Sequence, residues 1–179
     1  MSSVSRLADL RGKLLWGSFQ KSLKHPDQAQ LSLLLRFLHA NRETAYGRRH
    51  GFARMASLAD YRNGVPSGDY EIFRPWVDRM CEGEQSVLTT EKPYMFAMTS
   101  GTTGQPKLLP VTPSAKRAVA RLTSMWISGC LQDHPNILDG RALVVVSPAT
   151  EGYTPGGTPF GAASGYIYQH ASWAIRRTY

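Results

Sequence analysis

The chain has 179 residues, 42% of them hydrophobic, 19% charged and 10% aromatic, which supports a packed core and excludes a disordered polymer. Its sixteen glycines follow no three-residue period, which excludes collagen, and its longest clean apolar run, Ala142 to Val146, is far short of a membrane span of about 18 residues. The net charge of +8 is concentrated at the start: residues 1–50 carry nine basic and three acidic side chains, whereas residues 51–100 come to −2.

That surplus lies on predicted helices, without an aromatic-interleaved basic stripe or a known DNA-reading motif. It reads as a solvated face, with no nucleic-acid partner and no membrane partner. The first residues hold no apolar signal region. Cys81 and Cys130 stand 49 positions apart with no CxxC partner, and read as reduced thiols of a cytoplasmic protein. The five histidines fall at no metal-ligand spacing.

Leu7, Leu14, Leu15, Phe19 and Leu23 recur at helical spacing opposite Arg6, Lys13 and Lys24. Pro26 opens a second helix, whose stripe of Leu31, Leu34, Leu35 and Leu38 runs to Asn41. Both stripes are expected to face the core. Ser57 and Asp60 form a capping box for a short helix ended by Gly64 and Pro66. Asp69 caps a further helix through Met80, with Pro75 either kinking it or delaying its start.

Beyond Gly83 the pattern changes. Gln85–Thr89, Tyr94–Met98 and Leu108–Val111 read as strands. Thr112-Pro113 then caps and opens a helix to about Leu131, and Ala142–Val146 reads as a strand buried on both faces. Five glycines and two prolines crowd Glu151 to Gly165. That stretch is either a sharply turning loop beside the sheet or the lining of a ligand pocket. Met125 and Trp126 are core residues or a pocket wall.

Between two of the predicted strands lies Thr99-Ser100-Gly101-Thr102-Thr103-Gly104-Gln105-Pro106-Lys107. Glycines let consecutive amides converge on one anion, hydroxyls add donors and a lysine adds charge, which suits a polyphosphate. A Gly-Thr-rich surface turn is the plain alternative. The run is not a Walker A loop, which needs GxxxxGK followed by Ser or Thr and a helix.

The nine positions do match the [ST]SGTTGxPK signature, so the chain resembles the adenylate-forming superfamily. Thr44-Ala-Tyr-Gly-Arg-Arg-His-Gly-Phe52, Asp60-Tyr-Arg-Asn-Gly-Val-Pro66, Asp69-Tyr-Glu71 and Arg79-Met-Cys-Glu-Gly-Glu84 precede the loop; Lys107-Leu-Leu-Pro-Val-Thr112 and Glu151-Gly-Tyr-Thr-Pro-Gly-Gly157 follow it. Together these resemble the N-terminal portion of the Gretchen Hagen 3 family of acyl-acid-amido synthetases, with the loop in its bacterial-type form.

The resemblance implies an α/β fold, in which residues 1–83 form a helical lead-in and 84–179 the phosphate-loop sheet region. The whole chain, 1–179, would be the incomplete N-terminal part of the large domain, with the C-terminal domain absent. It implies an ATP-dependent ligase that activates a small carboxylic acid as an acyl-adenylate and passes it to an amine or amino acid. ATP and Mg²⁺ are the implied cofactors, and the remainder of the same chain an implied partner. Ser100, Gly101, Thr102, Thr103 and Gly104 would hold the β- and γ-phosphates, with Lys107 contributing. Thr99 would turn towards the α-phosphate or anchor the loop. A thioester-forming synthetase and a non-catalytic remnant are the competing readings. The chain alone is expected to be inactive and to expose a strand edge and apolar surface.

Overall fold

The computed structural model describes residues 3–99, 106–140 and 143–170. Within them lie seven α-helices: α1 Ser3–Leu23, α2 Pro26–Asn41, α3 Ala45–His50, α4 Leu58–Gly64, α5 Arg74–Cys81, α6 Pro113–Asp133 and α7 Ala163–Gln169. One mixed sheet joins them, built from β1 Met95–Thr99, β2 Lys107–Val111, β3 Gly152–Tyr153 and β4 Pro159–Gly161. Short 3₁₀ turns at Phe52–Arg54 and Tyr70–Ile72 complete the described elements. No helix among the described residues is long and apolar enough to cross a membrane.

The caps act as the sequence predicts. The Ser57 hydroxyl accepts from the Asp60 amide at 3.0 Å, and the Asp60 carboxylate accepts from the amide of Ala56 at 2.9 Å, starting α4. Thr112 caps α6, with Pro113 in its first turn. Pro75 delays its helix rather than kinking it. Asp69 caps the Tyr70–Ile72 turn through the Glu71 amide, and α5 begins only at Arg74. Helix α3, which no predicted element covers, is capped by the Thr44 hydroxyl and closed by Gly51 at φ +70°.

The sheet order is β2-β1-β4-β3. β1 pairs antiparallel with β2, from Met95 opposite Val111 to Thr99 opposite Lys107. It pairs parallel with β4 through Phe96 opposite Phe160 and Ala97 opposite Gly161. A parallel pair needs a crossover, and α6 lies within it. Val77, Met80 and Cys81 of α5 pack with Val87 and Phe96, and Tyr70, Trp76, Leu88, Leu108 and Phe160 close around them. This is where apolar burial stabilises the fold.

Three expectations are corrected. Gln85–Thr89 is not a strand. Ser86 takes φ +55°, and the carbonyls of Ser86 and Val87 accept from the amides of Ala45 and Tyr46, so the segment caps α3 instead of joining the sheet. In the Ala142–Val146 run, residues 143–146 are not strand, and Leu143 and Val145 are 95% and 91% exposed; Ala142 lies outside the described residues.

The leucine stripe of α1 does not face the core. Leu7 and Leu14 are 71% and 72% exposed, because α1 meets α6 through small and polar residues. Ser5 and Gly12 are buried, and the Ser128 hydroxyl donates to the Asp9 carboxylate at 3.0 Å. A methyl group at Gly12 would run into Ser128, so only glycine lets the helices approach this closely. In α2 the stripe is partly turned inward: Leu38 is buried and Leu34 and Leu35 half-buried, while Leu31 is exposed.

Candidate functional site

The conspicuous loop is the connection of the β1–β2 hairpin. Its two ends are the described residues Thr99 and Lys107, which face each other as the last pair of the antiparallel ladder. Ser100, Gly101, Thr102, Thr103 and Gly104 lie outside the described residues. Thr99 is exposed and Lys107 half-buried. A ladder closed at the loop's base holds both stems in one register and shortens the chain that must be ordered around a ligand.

Lys107 is surrounded by groups from the lead-in to α5. Its Nζ lies 5.7 Å from the centroid of the Tyr70 ring, and the Arg74 guanidinium lies 4.8 Å from the same ring. Such contacts draw cations to an aromatic face. Arg74 forms a two-point pair with Glu71, at 2.6 and 2.9 Å. That hydrogen-bonded pair, with a smaller contribution from Lys107, holds the Glu71 carboxyl below its ordinary range. Glu71 therefore stays ionised, and two cations share one carboxylate at the foot of the loop.

Tyr70 also fixes the outer edge of β2. Its hydroxyl meets both backbone groups of Leu108, the residue next to Lys107. Burial pushes the phenol above its ordinary pKa, against the opposing pull of the Leu108 hydrogen bond. At neutral pH it is a protonated donor. An edge strand normally leaves such groups open, and here a side chain occupies them.

The Gly-rich segment proves to be a hairpin, β3–β4, laid beside β1. Thr154 and Thr158 are buried at its turn, and the Gly156 amide donates to the Cys81 carbonyl at 2.7 Å. This favours the structural reading of its glycines. On α6, Met125 is half-buried and Trp126 is 69% exposed, so Trp126 is not a core residue. Among the described residues no group of three or more His, Cys, Asp or Glu could hold a metal ion.

Sequence reasoning located the loop but not Tyr70 or Arg74 as its supports. The available signal was Asp69-Tyr-Glu71, noted as a motif without a role.

The family model described as the GH3 family N-terminal domain matches residues 16–179. An indole-3-acetic acid-amido synthetase of Arabidopsis thaliana is 27% identical over 153 residues, covering 84% of this chain and 25% of that protein. A jasmonoyl–L-amino acid synthetase of Nicotiana attenuata is 24% identical over 157 residues, covering 87% of this chain and 27% of that one. The chain thus spans about a quarter of the length of these relatives. A solved acyl acid amido synthetase in complex with 2,4-DB superposes with a TM-score of 0.74 at 24% identity, over 88% of this chain and 29% of that structure. That likeness establishes a shared fold.

Proposed function

The chain belongs to the GH3 family, and from that premise we propose that it carries the phosphate-binding part of an ATP-dependent ligase that joins a carboxylic acid to an amine or amino acid. The observation that carries the reading is the signature Thr99–Lys107 on the closed end of the β1–β2 ladder. The printed names of the relatives, which are amido synthetases of indole-3-acetic acid and jasmonate, agree with it.

In this reading a carboxylate oxygen attacks the α-phosphorus of ATP, and the bond to pyrophosphate breaks. The amine nitrogen then attacks the acyl carbonyl, loses a proton, and AMP leaves. The acid is already ionised at neutral pH, so the first step demands in-line positioning and neutralisation of leaving-group charge. Ser100, Gly101, Thr102, Thr103 and Gly104 supply amides and hydroxyls to the β- and γ-phosphates. Lys107 brings positive charge from the end of β2, and Thr99 anchors the loop or turns towards the α-phosphate. Mg²⁺ would neutralise phosphate oxygens; such an ion commonly binds through the phosphates and one or two carboxylates. The described residues bring no cluster that would hold it alone.

The test is made on the complete protein. Incubated with ATP, a panel of carboxylic acids and hydroxylamine, it should yield hydroxamates and pyrophosphate. With amino acids it should yield amides. An acyl-CoA product without amide would overturn the assignment in favour of a thioester-forming synthetase, and absence of any hydroxamate would point to a non-catalytic chain.

A further inference from the structure

A second cavity lies apart from the loop, none of whose residues line it. It is a cleft of about 380 Å³ where α3 meets α5, walled by Tyr46, Trp76 and Pro75, with Arg49, His50 and Arg79 among its lining residues. That volume falls in the range of small-molecule sites. Its floor is aromatic. Tyr46 packs against His50 at 4.3 Å between ring centroids and edge-on against Trp76 at 5.2 Å.

Two features of this cleft are not used by the fold. Tyr46 is 7% exposed, yet its hydroxyl has no hydrogen-bond partner among the described residues. Buried hydroxyls are nearly always paired, so an orphan calls for a partner. Arg49 has no carboxylate partner among the described residues, whereas Arg79 is engaged by Glu84 and rests over the Trp76 ring at 5.2 Å. The lining contains no acid. One free cation, one idle donor and flat apolar walls are what an aromatic monoanion requires.

We propose that the cleft between α3 and α5 binds a small aryl carboxylate, with Arg49 meeting its charge and the Tyr46 hydroxyl donating to it. The ring of the ligand lies against Trp76 and Pro75. Burial raises the Tyr46 phenol above its ordinary pKa, which keeps it a donor over the physiological range. The inference is independent of the amide-forming reading, since it concerns neither the loop nor turnover.

Benzoate is the probe. The complete protein is labelled with fluorotryptophan, and the Trp76 resonance is assigned by its loss in Trp76→Phe. Benzoate should move that resonance saturably, and benzyl alcohol should do so at least about tenfold more weakly, the loss expected when a partly desolvated charge pair is removed. Arg49→Gln should weaken the benzoate response by about tenfold, with the circular dichroism spectrum unchanged. Tyr46→Phe should weaken it while leaving the urea midpoint unchanged or higher. No shift at Trp76, an equal shift with benzyl alcohol, or an undiminished response in Arg49→Gln would each overturn the proposal. A fall in the midpoint of Tyr46→Phe would do the same, by showing that the hydroxyl already has a partner.

Discussion

The Tyr70 hydroxyl donates to the carbonyl oxygen of Leu108 at 2.9 Å and accepts from the amide of the same residue at 3.1 Å. One phenol thus takes the place of a neighbouring strand along the outer edge of β2. Tyr70→Phe keeps the ring in the core but removes both bonds. It should destabilise the chain by about 1–3 kcal/mol, the cost of two lost hydrogen bonds with buried groups left unpaired. Urea unfolding would measure this, and faster exchange of the Leu108 amide would locate it. An unchanged Leu108 exchange rate would show that the edge is held by something else.

Lys107→Ala tests the charge at the loop's base. In the complete enzyme, pyrophosphate exchange should fall by about a hundredfold, the usual cost of losing one preorganised group facing developing charge. Lys107→Arg should recover part of it. Exchange at the wild-type rate in Lys107→Ala would remove the residue from the phosphate site.

Burial pushes the Cys81 thiol from 9.0 up to about 11. Between those values the folded chain keeps a proton that the unfolded chain gives up. Stability from this group is therefore complete below about pH 9 and is lost as pH rises towards 11. Tyr46, Tyr70 and Tyr94, also raised by burial, add to the loss only above 10.0. Urea midpoints should fall between about pH 8 and about pH 10, and Cys81→Ala, though less stable throughout, should show a flatter fall. A wild-type midpoint constant over that interval would contradict the shift.

Thr112→Ala removes the cap of α6. The hydroxyl accepts from the Ala115 amide at 3.3 Å, and Glu91 covers the neighbouring Ser114 amide at 2.8 Å. The loss should be about 1 kcal/mol, read from thermal or urea unfolding, because Glu91 continues to satisfy one orphan donor. Combining it with Glu91→Ala should cost more than either change alone.

Gly12→Ala sets helix propensity against packing. Alanine favours the helix by about 1 kcal/mol, yet its methyl group would collide with Ser128. The expected result is that α1 lifts from α6, seen as faster amide exchange and protease cleavage within α1. The core around Phe96 should keep its unfolding midpoint.

What was legible in the sequence was local. Ser57, Thr112 and Pro26 announce helix starts because a cap or a ring acts within one turn, and β1 and β2 follow from their β-branched and aromatic runs. Gln85–Thr89 misled because its fate depends on distant amides, those of Ala45 and Tyr46, which its carbonyls accept from. The α1 stripe misled because amphipathicity tells which face is apolar, not which face finds a neighbour. β3 and β4 were hidden by prolines and glycines that strands usually avoid. For the candidate site, the order Thr99 to Lys107 was readable directly, whereas Tyr70 acts on Leu108 across 38 positions and left no local pattern.

The seam between Asp9 and Ser128 joins residues 119 positions apart. During synthesis α1 leaves the ribosome first, and the face it is made for does not yet exist. At about 5–20 residues per second, the wait for α6 is on the order of ten seconds. Through that interval the leucines of α1 are available to chaperones, and the helix can dock only after the segment carrying Ser128 has emerged. The N-terminal helix is thus first to be made and among the last to be placed.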